Sequence, residues 1–313
     1  DRLSNKNQYL LKYRKDIASQ NGEDGIIEKI FEIIPDHDKW CVEFGAWDGK
    51  HLSNTYNLIE NHDWSGVLIE GNKKKCDQIK NNTYSGNDKV FVFNKFVKIS
   101  GNDTLDDILS ETKIPKNFDF LIIDIDGNDY HIFKSLVNYR PKLVIIEYNC
   151  AIPDNIEFVQ APNFKVRHGH SILSLTKLAK LKGYELICIN GDNAFFIDKQ
   201  YFDLFNIEDN SIRSLKHFNE PLQIFQLYDG TLIFYGYQCL HYQNIPMNFN
   251  KRFQMIPKFI RKAGLPWGDS GKIKRFFIKK ILKLYSIIYK DKKIKSQLDY
   301  VSKHWVKYPT SDV

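Results

Sequence analysis

The chain has 313 residues, 42% apolar and 27% charged, which is ample for a sizeable core, and no run of about 18 uncharged apolar residues exists to span a bilayer. Residues 272–313 hold 12 Lys or Arg against 3 Asp, so the excess positive charge of a chain whose net charge is +7 lies wholly in its tail. The five cysteines, Cys41, Cys76, Cys150, Cys188 and Cys239, form no CxxC or Cys/His pair, which excludes a disulfide framework or a structural zinc site and points to the reduced thiols of a cytoplasmic protein.

The chain opens on a polar stretch of mixed charge, and no secretory signal is read in it. From about residue 23 to 197, short β-branched or aromatic runs alternate with longer amphipathic stretches, the pattern of βα units around a mainly parallel sheet. Strands are expected at Trp40–Phe44, Val67–Glu70, Val90–Asn94, Phe120–Ile125, Leu143–Tyr148, Glu185–Ile189 and Ala194–Ile197. Helices are expected to begin near Glu23, Ser53, Lys73, Thr104, Tyr130 and Ile172, with Asp103 as a cap and Gly183 as a stop. The turn-rich Asn190–Asn193 joins the last two strands as an antiparallel edge hairpin. Beyond residue 198, Gln223–Leu227 and Thr231–Tyr235 flank Tyr228-Asp229-Gly230 as a second hairpin, 240–271 reads as irregular, and 272–289 has a helical apolar stripe set among lysines. The expected fold is α/β, a doubly wound, mainly parallel seven-stranded sheet with a C-terminal hairpin and a basic helical extension. The divisions fall at 1–198, 199–271 and 272–313.

The first strand ends in Glu43-Phe44-Gly45-Ala46-Trp47-Asp48-Gly49. Glycine there lets the backbone pass close to a ligand and take positive φ. Two glycines four apart do not make the three-glycine fingerprint of a dinucleotide site. A single small turn suits a cofactor without phosphates, such as S-adenosylmethionine. The second strand ends in Glu70, about 20 residues after the glycine turn, where a carboxylate accepts hydrogen bonds from both ribose hydroxyls in nucleotide-binding α/β folds. The third strand ends at Phe93-Asn94, an aromatic and an amide suited to adenine.

Several stretches resemble the FkbM-type S-adenosylmethionine-dependent O-methyltransferases. They are Ser19-Gln20 with Gly22–Gly25, Val42–Gly49, Leu52–Thr55, Thr104–Asp107, Leu121–Gly127, Gly183-Tyr184 and Asn193–Phe196, spanning roughly residues 15–200. The resemblance implies a class I methyltransferase sheet and methyl transfer to a hydroxyl, often of a sugar or polyketide. It places Gln20, Glu43, Gly45, Ala46, Gly49, Ser53, Asn54, Glu70, Asn94 and Asp124 in the cofactor site.

Ligands of doubly wound sheets sit at the carboxyl ends of the strands. If the fourth strand continues through Asp126, alternation sends Asp124 and Asp126 to one side, where two carboxylates repel unless neutralised. Glu147 and Asn149 leave the fifth strand, so Asp126, Glu147 and Asn149 form a candidate oxygen-ligand set for Mg²⁺ or a similar cation. This cluster also resembles the metal-dependent macrolide sugar O-methyltransferases, although an Asp pair of that family is Glu147-Tyr148 here. The competing reading makes Asp126 and Asp129 caps of the following helix. Deprotonation of the acceptor falls to Asp126 or to the histidines of Arg167-His168-Gly169-His170; His170 departs from the Gly-Ala-Ser-like stretch usual in the family. His131, just inside a helix after Asp129, is a weaker candidate for that role, and packing or capping is its commoner part.

The sequence therefore reads as an O-methyltransferase of a sugar, nucleotide-activated or within a surface polysaccharide. The tail's stripe has three destinations: packing on the domain or a second subunit, contact with the inner face of an anionic membrane, and, last, nucleic acid. Two rival activities are a glycosyltransferase using Asp124-Ile125-Asp126 as a DxD motif and a nucleic-acid methyltransferase.

Overall fold

The computed structural model describes residues 6–216, 222–227, 232–236, 238–240, 245–246, 276–277, 280 and 305–306. The chain divides into two compact units, residues 1–218 with 306–313, and residues 219–305. The first unit runs past residue 198 because Phe205 and Leu215, on the short helical segments Lys199–Phe205 and Ile212–Leu215, are buried in it.

The first unit is built on a seven-stranded sheet. Its strands are β1 (Trp40–Phe44), β2 (Ser65–Ile69), β3 (Val90–Phe93), β4 (Phe120–Ile123), β5 (Leu143–Glu147), β6 (Tyr184–Asn190) and β7 (Asn193–Asp198). Their spatial order is β3-β2-β1-β4-β5-β7-β6. Strands β1 to β5 pair in parallel, and β7 runs antiparallel to both β5 and β6, the expected edge hairpin. The doubly wound arrangement read from the sequence is thus the observed fold. Because the chain order reverses between β1 and β4, their carboxyl ends open a crevice, the place where such sheets hold ligands.

Helices α1 (Glu23–Ile33), α2 (Tyr56–His62), α3 (Lys73–Gln78), α4 (Leu105–Ser110), α5 (Asp129–Ser135) and α6 (Ile172–Leu181) alternate with the strands. Every residue of β4 is buried, as are Leu143 to Ile146 of β5. Continuous apolar runs such as Phe120-Leu121-Ile122-Ile123 suit a sheet covered on both faces, each side chain contributing about 1.5–3 kcal/mol by leaving water. At the opposite, amino-terminal end of the sheet, the buried Lys142 Nζ bonds Asp119 Oδ1 at 2.7 Å and the Asp36 carbonyl at 2.7 Å. Asp119 Oδ2 in turn accepts from Trp40 N at 3.0 Å.

Several boundaries differ from the sequence reading, and the reasons are local. Helix α4 is capped by Thr104, whose hydroxyl accepts from Asp107 N while Asp107 accepts from Thr104 N, a reciprocal capping box. Asp103, expected as the cap, instead pairs with Lys95 and Lys98. Strand β4 stops at Ile123, two residues before its expected end. The chain turns there because Asp126 has φ +56° and Gly127 φ +151°, and both loop N–H groups of Ile125 and Gly127 donate to Asp129 at 2.8 Å.

In the second unit, β8 (Gln223–Gln226) and β9 (Leu232–Tyr235) pair antiparallel as expected. The joining Tyr228-Asp229-Gly230 lies outside the described residues. A further pair of two-residue strands joins Cys239–Leu240 to Ile245–Pro246. The expected irregular stretch and the basic amphipathic helix lie mostly outside the described residues, although Phe276 and Phe277 are helical and exposed.

Candidate active site

At the end of β1 the backbone turns at Gly45, φ +75°, and its N–H donates to Ile69 O at 3.0 Å. A Cβ at Gly45 would stand 3.0 Å from the Asp124 carbonyl, so the turn needs glycine for its left-handed backbone and for its proximity to the β4 loop. Glu70 follows β2 directly. Its two carboxylate oxygens accept from Trp47 N at 2.8 Å and Asn72 N at 2.6 Å. Gly45 and Glu70 line one cleft of about 480 Å³, together with Ile69, Phe96, Asp126, Asn128, Phe164 and Arg167 among others. The glycine turn and the acid, joined only by spacing in the sequence, thus face one cavity. Asn128 is buried at the cleft wall, and its Oδ1 has no hydrogen-bond partner among the described residues.

The other expected cofactor residues divide into those that shape the site and those that lie apart from the cleft lining. Buried Glu43 accepts from Ser53 Oγ at 2.6 Å, Asn54 N at 3.2 Å and the Thr55 hydroxyl. Burial raises its pKa and these three donors oppose the rise. Glu43 therefore spends its oxygens tying β1 to the turn before α2, and Ser53 Oγ also accepts from Tyr56 N at 3.0 Å. Gly49, φ +77°, is explained by packing, since a Cβ there would meet the Tyr84 ring at 3.0 Å. Ala46 is buried. Asn94 Nδ2 donates to the carbonyls of Glu70 and Gly71 at 2.8 and 3.1 Å, bracing the loop that carries Glu70. Gln20 is exposed on a turn gathered around Asp24, whose Oδ2 accepts from Ile17 N, Ala18 N, Ser19 N and Ser19 Oγ.

Asp124, Asp126 and Glu147 each offer an oxygen within 4.8 Å of the others. The β4 loop brings the two aspartates together, where strand alternation had been expected to do so. Desolvation first, then the facing Asp124 carboxylate, pushes the Glu147 pKa well up. Asp124 is raised to about 6, by desolvation before the charges of Asp126, Asp192 and Glu23, although part of its surface is open to solvent. Burial, then Asp124, raises Asp129 to about 7, and its two loop N–H donors oppose the rise. A hard cation fits such a set, because it would relieve the crowding of charge that holds a proton on Glu147. Asn149 is tied to the neighbouring loops: its Nδ2 donates to His168 O at 2.9 Å and its Oδ1 accepts from Ala151 N at 3.0 Å.

The two loop histidines differ in placement. His170 is 1% exposed, packs against Tyr130, and has no partner for either ring nitrogen among the described residues. Burial lowers its pKa to about 3, so it is a neutral packing residue rather than one presented to substrate. His168 is half-buried outside the cleft lining, and its backbone N–H is held by Gln160. Gln160, which sequence reasoning passed over, is fully buried and organises this loop. Its Oε1 accepts from His168 N at 2.8 Å and Gly169 N at 2.9 Å, and its Nε2 donates to Val166 O at 2.9 Å. His131 bonds the Gln160 carbonyl at 2.7 Å, consistent with its reading as a packing residue.

Residues 102–164, the stretch carrying α4, β4, the Asp124–Asp129 loop, α5 and β5, match the methyltransferase FkbM domain. No curated protein matches the chain. Among solved structures, the N-terminal domain of EvdMO1 with SAH bound aligns at 13% identity, covering 63% of this chain and 94% of that one, with a TM-score of 0.35. An S-adenosylmethionine-dependent methyltransferase from Aquifex aeolicus aligns at 13% identity, 61% and 96% coverage, and a TM-score of 0.35. A putative caffeoyl-CoA O-methyltransferase from Staphylococcus aureus aligns at 17% identity, 58% and 85% coverage, and a TM-score of 0.38. The matched segment ends where the cleft wall of Phe164, Val166 and Arg167 begins. No helix of the described residues is long and apolar enough to cross a membrane.

Proposed function

We propose that the chain transfers a methyl group from S-adenosylmethionine to a hydroxyl oxygen of a sugar, nucleotide-activated or within a surface polysaccharide. The observation that carries the reading is the convergence of Gly45, Glu70 and Asp126 on one cleft. When bound, the cofactor supplies a methyl group activated by a positively charged sulfur. The protein's part is alignment, proton removal and exclusion of water. Gly45 lets the backbone lie against the ligand, and Glu70, fixed by Trp47 N and Asn72 N, keeps lone pairs for ribose hydroxyls. Asp124 and Asp126 place negative charge beside the position where a positive sulfonium would rest.

Asp126 takes the acceptor's proton in this reading. It lines the cleft, whereas His168 does not and His170 is sealed in the core. Asp124, Asp126 and Glu147 would hold a divalent cation that lowers the proton affinity of a bound hydroxyl. The sugar assignment rests on the resemblance to FkbM-type enzymes. Incubation with labelled S-adenosylmethionine and a panel of nucleotide sugars and polysaccharide fragments tests the reading. A mass gain of one methyl group, abolished by Asp126→Asn with cofactor affinity kept, is expected. Methylation of a nucleic acid or a carbon centre, with no sugar product, would overturn it.

A further inference from the structure

Besides Gly45 and Glu70, the cleft has lining residues with a chemistry of their own. Beyond Gly45 and Glu70 the charged lining residues are Lys95, Lys98 and Arg167 against Asp126 alone. Two aromatic faces stand open beside them: Phe96 is 75% exposed and Phe164 is 55% exposed. The Phe96 ring lies over Gly71, where a Cβ would fall 2.3 Å from it. Arg167 and Phe164 belong to the loop that Gln160 fastens, so that wall is anchored to the core.

We infer that this part of the cleft lining recognises an acceptor that joins a ring to an anionic group. The ring is flanked by Phe96 and Phe164, and the negative charge is taken by Arg167 and Lys98. Resting partners already hold these cations in place. Arg167 pairs with Asp126 at 3.4 Å with side chains 77% and 65% exposed, and Lys98 pairs with Asp103 at 3.1 Å. Pairs so open to water are weak, whereas a phosphate or carboxylate held in a cleft by a guanidinium fork gains charge-assisted, two-point bonding. An arriving anion therefore exchanges places with Asp126 on Arg167. The exchange frees the Asp126 carboxylate beside the acceptor when its proton must be removed, tying recognition to chemistry through one side chain. Arg167 is a specificity-determining residue in this scheme.

The inference rests on assigning the Gly45–Glu70 end to the cofactor, and its test separates the two. The folded full chain, in EDTA, is titrated calorimetrically with uridine 5′-diphosphate, with glucuronate and with glucose, each with and without saturating S-adenosylhomocysteine. One-to-one binding of at least one anion is expected, at least tenfold tighter than glucose. The diphosphate and glucuronate arms show whether the charge is borne by phosphate or by a ring carboxylate. Arg167→Gln should weaken the anion at least tenfold and Lys98→Gln about threefold, with S-adenosylhomocysteine affinity unchanged within twofold. Failure of both anions to bind, anion binding indifferent to Arg167→Gln, or competition between anion and S-adenosylhomocysteine would overturn it. If S-adenosylhomocysteine fails to bind while Arg167-dependent anion binding persists, the cofactor reading falls and the anion site stands.

Discussion

Replacing Glu70 by alanine removes a carboxylate that does two jobs, and their sizes can be separated. In the unliganded protein it accepts from Trp47 N at 2.8 Å and Asn72 N at 2.6 Å. Hydrogen bonds to a charged group are each worth about 1.5–3 kcal/mol. The freed N–H groups are only partly buried and regain water, so the net loss of stability is expected at about 2–3 kcal/mol. Loss of the two ribose hydroxyl bonds should weaken S-adenosylhomocysteine by a further 1–3 kcal/mol or so, roughly 5- to 150-fold. Calorimetric titration at a temperature where thermal melting shows the variant folded measures the second quantity free of the first. Glu70→Asp, which keeps the charge but withdraws it by one methylene, should fall between alanine and wild type. A folded Glu70→Ala protein that binds S-adenosylhomocysteine with wild-type affinity would refute the ribose assignment.

Three further changes probe the surrounding structure. Gly45→Ala must hold a left-handed backbone, costing roughly 1–2 kcal/mol, and puts a methyl 3.0 Å from the Asp124 carbonyl; cofactor affinity should fall at least tenfold, and an unchanged titration would show the turn does not meet the ligand. Glu147 has a pKa raised above its ordinary value of 4.5, so the stability it contributes is complete below that value and declines as pH rises toward the folded value. Glu147→Gln should flatten this decline by up to about 1.4 kcal/mol per pH unit, and melting curves from pH 5 to 8 that stay parallel in both proteins would contradict a proton held on Glu147. Gln160→Leu strands the N–H groups of His168 and Gly169 and the Val166 carbonyl, a loss of about 3–5 kcal/mol, with faster amide exchange across residues 163–171; unaltered exchange would deny Gln160 its organising part.

The parallel sheet was legible because Val67–Ile69, Phe120–Ile123 and Leu143–Ile146 are continuous apolar runs between helical stretches, and burial on two faces demands that composition. The union of Gly45 with Glu70 was legible too, since spacing places both at carboxyl ends of neighbouring strands. What spacing could not convey was which polar side chains serve the protein itself. Glu43, Ser53 and Asn54 look like ligand contacts in a motif, yet Glu43 directs its oxygens to the turn before α2. His170 looks reactive in Arg167-His168-Gly169-His170 and is sealed against Tyr130. The loop ordered by Asp129 and the loop ordered by Gln160 depend on contacts between distant segments, as when Gln160 meets Gly127. Those contacts carry no local periodicity, so Arg167, Phe164 and Phe96 emerged as cleft residues only in three dimensions. Gln160, far along the chain from the β4 loop it meets, is one such signal that no window of sequence holds.

The central claim is that the space between Gly45 and Glu70 receives an adenosine-linked cofactor without phosphates. Isothermal titration of the full-length wild-type protein with S-adenosylhomocysteine, beside adenosine diphosphate as a comparison, tests it most directly. Saturable one-to-one binding of S-adenosylhomocysteine, unaffected by excess adenosine diphosphate, is the result expected. Silence toward S-adenosylhomocysteine up to millimolar concentration, or its displacement by adenosine diphosphate, would contradict the account.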